Sequence, residues 1–157
     1  MADAPTSAEI LRTAVELARG QVGGALATMH AEDGTPYVTF VLFHLREDGT
    51  VLFGAGERSQ HSRNISATPE VSFLIDNREV IRTDWTAFDR VVIEGRASRL
   101  PRTDERRAVF MRELATKNRL SAHFIEQGDL FCISPRRIVL MQGIDGLRQV
   151  IDFGAED

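Results

Sequence analysis

Residues 51–75 read Val51-Leu-Phe-Gly-Ala-Gly-Glu-Arg-Ser-Gln-His-Ser-Arg-Asn-Ile-Ser-Ala-Thr-Pro-Glu-Val-Ser-Phe-Leu-Ile75. Val51-Leu52-Phe53 are strand formers, and Gly54-Ala55-Gly56 ends the strand they begin. Ser59 is placed to cap a short helix reaching about Ala67, and Pro69 prevents its continuation. Val71 to Ile75 then resumes a strand. Upstream, Ala25 to Ala31 and Tyr37 to Arg46 are predicted strands, with Pro36 opening the second. Glu32-Asp33-Gly34 and Glu47-Asp48-Gly49 supply turn chemistry between the strands. Residues 24–55 therefore read as an antiparallel three-strand meander.

The reading extends in both directions. Thr6 and Glu9 have capping-box spacing ahead of an apolar stripe of Ile10, Leu11, Ala14, Val15, Leu17 and Ala18, which predicts a helix over about 6–20. Residues 77–87 are polar and charged, carry Trp85, and read as a loop or hairpin crossing. Arg90 to Arg99 alternates, with Val91, Ile93, Gly95 and Ala97 on one face. Pro101 and Thr103-Asp104-Glu105 announce a helix over 103–116. Ser121 to Gln127 reads as a further helical turn, ended by Gly128. Leu130 to Met141, interrupted at Pro135, is a last strand or strand pair, and the tail 153–157 reads as frayed. Six or more mostly antiparallel strands with a few short helices make a mainly β fold. Closure into a barrel removes their exposed edges.

The chain has 157 residues, 43% hydrophobic and 27% charged, which suits one globular domain over residues 1–157. No apolar run approaches the roughly 18 residues of a membrane span, and the first residues lack the pattern of a secretory signal. One cysteine, Cys132, excludes an intrachain disulfide and a multi-cysteine zinc site. A cytoplasmic location is the expectation. A net charge of −4 argues against nucleic acid as the main partner. Phosphate-binding loops, dinucleotide fingerprints and nucleophile elbows are absent from the sequence. His30, His44, His61 and His123 have no metal-ligand spacing, so no metal site is expected. Cys132 lies in an apolar strand, where an inert buried thiol is expected.

Residues 53–64 carry the chemistry. Gly54, Ala55 and Gly56 let a ligand approach the backbone. The helix start behind them offers unpaired N–H groups and a positive dipole end. Ser59 and Gln60 add neutral donors, while Arg58, His61 and Arg63 add charge or potential charge. Together they suit a phosphate monoester. On this segment alone a plain strand-to-helix turn with a solvated basic helix has the edge, because basic residues on short helices are common. In the strand Tyr37 to Phe43, Val38, Phe40 and Leu42 share one face and Thr39, Val41 and Phe43 the other. Its backbone suits the flank of a flat ring, but taken alone it reads as a strand buried on both sides. Arg90, at a strand mouth, reads as an exposed terminal charge or as a ligand contact.

The ordered set of VLFGAG, SQHSRNI, ATPEVSFLI, RVVIEGRASRL and PRRIVLMQG, with Arg148 beyond, resembles the pyridoxamine 5′-phosphate oxidase-like FMN-binding split barrels over about residues 20–148. The resemblance implies a split β-barrel with FMN phosphate near Gln60 and His61, and Ser59 and Arg63 adjacent. It places the flavin ring along Thr39, Phe40, Val41 and Leu42 and near Ala55 and Gly56. It sets Arg90 where the family often has Gln, as a donor to the ring, and Met141 where the family has Trp. It also implies a homodimer with two flavin sites at the interface. The implied activity is that of an FMN-dependent oxidoreductase acting on a small molecule, without nucleic acid or membrane as partner.

Departures from the family pattern accompany the match. Gln60-His61 replaces an Arg-Lys pair, so fixed charge is lost unless His61 is protonated or Arg58 or Arg63 substitutes. A strand lysine near Phe43 is missing, and Leu147-Arg148-Gln149 lacks the family's histidine. These departures weigh against pyridoxamine phosphate oxidation itself as the activity. SQHSRN also resembles the HTRN segment of split barrels related to heme-utilisation proteins. Heme is therefore the alternative cofactor, and a non-catalytic flavin-binding module the alternative role.

Overall fold

The computed structural model describes residues 4–154. Helix α1 (Ser7–Arg19) starts at Thr6, whose hydroxyl accepts from the Glu9 N–H while the Glu9 carboxylate accepts from the Thr6 N–H. Its buried stripe of Ile10, Ala14, Val15 and Ala18 joins the main core. Strands β1 (Gly23–Met29), β2 (Pro36–Leu45) and β3 (Val51–Ala55) form the expected antiparallel meander. Its two turns use one device. Asp33 and Asp48 each accept, through a side-chain oxygen, the N–H of the threonine two residues on, and Gly34 and Gly49 take positive φ.

Helix α2 (Gln60–Ala67), capped by Ser59, leads to β4 (Glu70–Asp76). Strand β5 (Arg90–Arg99) follows, then α4 (Arg107–Lys117), α5 (Arg119–Gln127), β6 (Asp129–Met141) and β7 (Arg148–Asp152), with α3 (Arg78–Ile81) between β4 and β5. The strand order is β3-β2-β1-β4-β5-β6-β7, and β3 also pairs with β6. That last pairing closes a six-stranded antiparallel barrel and leaves β7 outside it. Strand β6 accomplishes both tasks. Its first part, Asp129 to Ile133, pairs with β3, and its last part, Arg137 to Met141, pairs with β7. Inward side chains of Phe43, Phe53, Phe73, Ile93 and Phe131 fill the barrel and are essentially unexposed.

Several local expectations are corrected. Strand β6 runs through Pro135 unbroken, because a register shift between Glu94 and Gly95 of β5 accommodates the proline. The helix expected from 103 begins at Arg107, since Asp104 instead accepts from the Arg106 N–H in a turn. The crossing over 77–87 contains two helical turns, α3 and a 3-10 turn at Trp85–Ala87. Strand β2 is not buried on both sides: Val38 and Phe40 are 65% and 64% exposed. In the tail, the Phe153 N–H donates to the Arg136 carbonyl, whereas residues 155–157 lie outside the described residues. Cys132 is buried as expected, and burial pushes its thiol up to about 11.

Candidate functional site

Strand β2 is longer than its closing partner. Phe43 to Leu45 pair with β3, but residues 36–42 pair only with β1, which leaves one edge of that stretch free. A cleft of about 420 Å³ lies along this edge, lined by Phe40, Val41, Leu42, Gly54, Ala55, Gly56, His61, Leu120, Ser121 and Phe124. Three consecutive β2 residues line it although alternate side chains point to opposite faces. The β2 wall is therefore the strand's backbone edge, with its hydrogen-bonding groups. The Phe40 ring lies over Gly23, where an added Cβ would come within 2.0 Å of it.

Helix α2 delivers His61 to one end of the cleft. The placement is fixed by Asn64, which is fully buried. Asn64 Oδ1 accepts from the Ala31 N–H at 3.0 Å and Nδ2 donates to Thr28 Oγ1 at 2.9 Å, locking the helix onto β1. His61 Nε2 is buried without a hydrogen-bond partner among the described residues. Burial pushes its pKa below the ordinary 6.5, so the imidazole is neutral at pH 7. The charge lost with the family's basic pair is therefore not restored at this position.

Helix α5 forms the opposite wall, which sequence reasoning missed. Leu120 and Phe124 are 65% and 51% exposed, whereas Ser121 is 1% exposed, its buried Oγ without a partner among the described residues. Two signals pointed here: the apolar spacing of Leu120 and Phe124, and the strand glycine Gly54. An added Cβ at Gly54 would sit 2.8 Å from Ile125 Cγ1 of α5. Gly54 thus serves the close approach of a helix rather than of a ligand. Gly56, with nothing within 4 Å of an added Cβ, is the glycine open to a ligand.

Phe40, Val41, Leu42, Ala55, Gly56 and His61 are thus brought together. The other residues singled out in the sequence lie outside the lining, Gln60 and Arg63 on the same helix as His61. Thr39 pairs with Leu26 outside the cleft lining. Ser59 caps α2, its Oγ 2.7 Å from that of Ser62. Gln60 and Arg63 turn toward Glu32 on the β1–β2 turn. Arg90 and Met141 face each other across β5 and β6. The Arg90 guanidinium lies 5.3 Å from the centre of the Phe88 ring, and its Nη1 is buried without a partner among the described residues. The arrangement offers a mostly apolar slot with a backbone edge on one side and, buried just behind its lining, the unpaired His61 Nε2 and Ser121 Oγ. A slot of this kind has the polarity to accept a planar heteroaromatic group.

The sequence matches a model of the pyridoxamine 5′-phosphate oxidase family over residues 11–140. No curated protein matches it. Among solved structures, a heme binding protein from Mycobacterium smegmatis superposes with a TM-score of 0.79 at 20% identity. The match covers 96% of this chain but 60% of that one, so this chain spans less than two thirds of that protein. HutZ, a heme storage protein from Vibrio cholerae, superposes at 0.62 with 19% identity, covering 87% of this chain and 89% of that one. An FAD-binding protein from Mesorhizobium loti gives 0.65 at 17% identity, covering 81% and 90%. At these identities the likeness is one of fold.

Proposed function

Because the chain belongs to the pyridoxamine 5′-phosphate oxidase family, we propose that it is a flavoprotein that holds FMN in the cleft between β2, α2 and α5 and serves as an oxidoreductase for a small molecule. The observation that carries this reading is the slot itself. Its apolar walls suit the flat faces of a tricyclic ring, and the free β2 edge suits the ring's polar rim. His61 and Ser121 line the slot, and their Nε2 and Oγ are buried just behind its surface without partners among the described residues, so that a small side-chain rotation would turn them to a ligand. Bound FMN supplies the electron-transfer chemistry. The residues of the chain bind and orient it: Phe40, Leu120 and Phe124 exclude water, and Gly56 admits the ligand to the backbone. His61, neutral, hydrogen-bonds rather than neutralises charge. The phosphate end fits less completely than the ring end, because Arg63 is already engaged by Glu32.

A homodimer fits the same reading. Phe40, Ala25, Leu74, Val92, Val139 and Val150 are successive register partners from β2 across to β7. They form an apolar row on the outside of the barrel, next to the cleft, and a second copy is the natural cover for it. Arg90 and Met141 lie on the same outer face and would meet the flavin through that interface.

Heme is the second reading, and His61 is the observation that favours it. A neutral imidazole with a free Nε2 in an apolar cleft is suited to ligate heme iron. The absorption spectrum of the purified protein separates the readings. A flavin spectrum with FMN released on denaturation supports the first, and a Soret band supports the second. A colourless protein that takes up neither leaves a binding module for another small molecule. With FMN, His61→Ala is expected to raise the dissociation constant about tenfold, the worth of one buried hydrogen bond. His123→Ala, on the exposed side of α5, is expected to change it little. Equal dissociation constants for the two variants count against the site.

A further inference from the structure

The start of α2 carries the residues suited to an anionic ligand group, and a carboxylate of the chain already holds them. Gln60 Nε2 donates to the two Glu32 carboxylate oxygens at 3.0 and 3.3 Å. Arg63 Nε lies 3.6 Å from Glu32 Oε1. Arg63 also donates to the Arg58 carbonyl at 2.7 Å and to Gln60 Oε1, which folds its guanidinium back against the entry to the helix. Glu32 does not arrive there as a wandering surface acid. The preceding N–H, that of Ala31, donates to Asn64 of the same helix, and Asp33 fastens the turn on the other side. His30 Nδ1 is 3.4 Å away.

We propose that Glu32 is an internal counter-anion: it competes with the phosphate of a bound flavin nucleotide for Arg63 and Gln60, and so limits how strongly the cleft distinguishes FMN from riboflavin. The proposal rests on the flavin reading of the cleft. A phosphate monoester entering at the start of α2 must take Arg63 and Gln60 from Glu32, and the displaced carboxylate stays close enough to repel it. Riboflavin leaves the network undisturbed. Glu32 and Arg63 are 58% and 49% exposed, so the competition is screened by salt. Were Glu32 instead a scaffold that presents Arg63 and Gln60 to phosphate, its removal would weaken FMN binding.

The sign of the effect decides the matter. Flavin-free native protein, Glu32→Gln and Glu47→Gln are titrated with FMN and with riboflavin, following the quenching of flavin fluorescence. Glu47, 89% exposed on the β2–β3 turn, controls for the change in net charge. Glu32→Gln is expected to tighten FMN about fivefold, the scale of a partly screened charge contact, and to leave riboflavin unchanged. The gain should shrink in ~1 M salt and vanish in an Arg63→Gln background. FMN binding that is unchanged or weaker in Glu32→Gln overturns the proposal. So does equal tightening of riboflavin, or the same gain in Glu47→Gln. A native protein that binds neither flavin overturns the reading of the cleft itself, and the proposal with it.

Discussion

His61 is a histidine kept uncharged by where α2 puts it. Burial lowers its pKa, and among the described residues no carboxylate offsets that. His44, half-buried on β2, is lowered by burial too, although Glu113 at 3.7 Å opposes the shift. In both cases the unfolded imidazole binds a proton near the ordinary 6.5 while the folded one holds out to lower pH. Below about 6.5 the unfolded chain therefore carries more protons, and stability must fall as pH drops. Carboxylates with lowered pKa values contribute only at more acid pH. Urea denaturation should give a lower unfolding free energy at pH 5.5 than at pH 7, with a smaller difference in His61→Gln. An unchanged difference would show that His61 is solvated. The same neutrality explains why the basic character read from SQHSR was only partly realised. Charge at a position is set by burial and neighbours, which the residue letter alone does not record.

At the scale of elements, the meander, α2 and the β4–β5 pair were legible because each carries its own local signals: a threonine-capping aspartate with glycine at the turns, Ser59 before the helix, and alternation along β5. What stayed hidden depended on distant partners. The Arg148 to Asp152 strand has little alternation of its own and exists because the outer half of β6 needs an edge partner. Helix α5 was legible as a helical turn, but its place as a cleft wall required knowing that it crosses β3. Two glycines of one short segment make that crossing testable. At Gly54 a larger side chain meets the wholly buried Ile125, whereas at Gly56 it meets nothing. Gly54→Val should cost about 1–3 kcal/mol in urea denaturation through overpacking, and should weaken flavin binding by pushing α5 outward. Gly56→Ala should stay within about 0.5 kcal/mol of native stability. Equal stabilities for the two variants would mean that α5 does not rest on β3 as described.

At the scale of the whole molecule, the barrel closes its core but not its outer apolar row. The strand read from sequence as buried on both sides is apolar on both sides, and in one chain only the inner side is covered. Val38 and Phe40, among its most exposed residues, are adjacent alternate positions on that outer face. If a second copy covers them, a charge placed there disrupts assembly while leaving the barrel interior untouched. Val38 is the better probe, because it stands outside the cleft lining whereas Phe40 is part of it. Val38→Asp is expected to sediment as a folded monomer where the native chain sediments as a dimer, with an unchanged far-ultraviolet dichroism spectrum. Because the reading puts Arg90 and Met141 of one copy against the flavin of the other, the monomer should also bind FMN more weakly. A dimer that survives Val38→Asp would move the interface to another face. A monomer with native FMN affinity would mean that one chain builds the whole site, and that Arg90 and Met141 take no part in it.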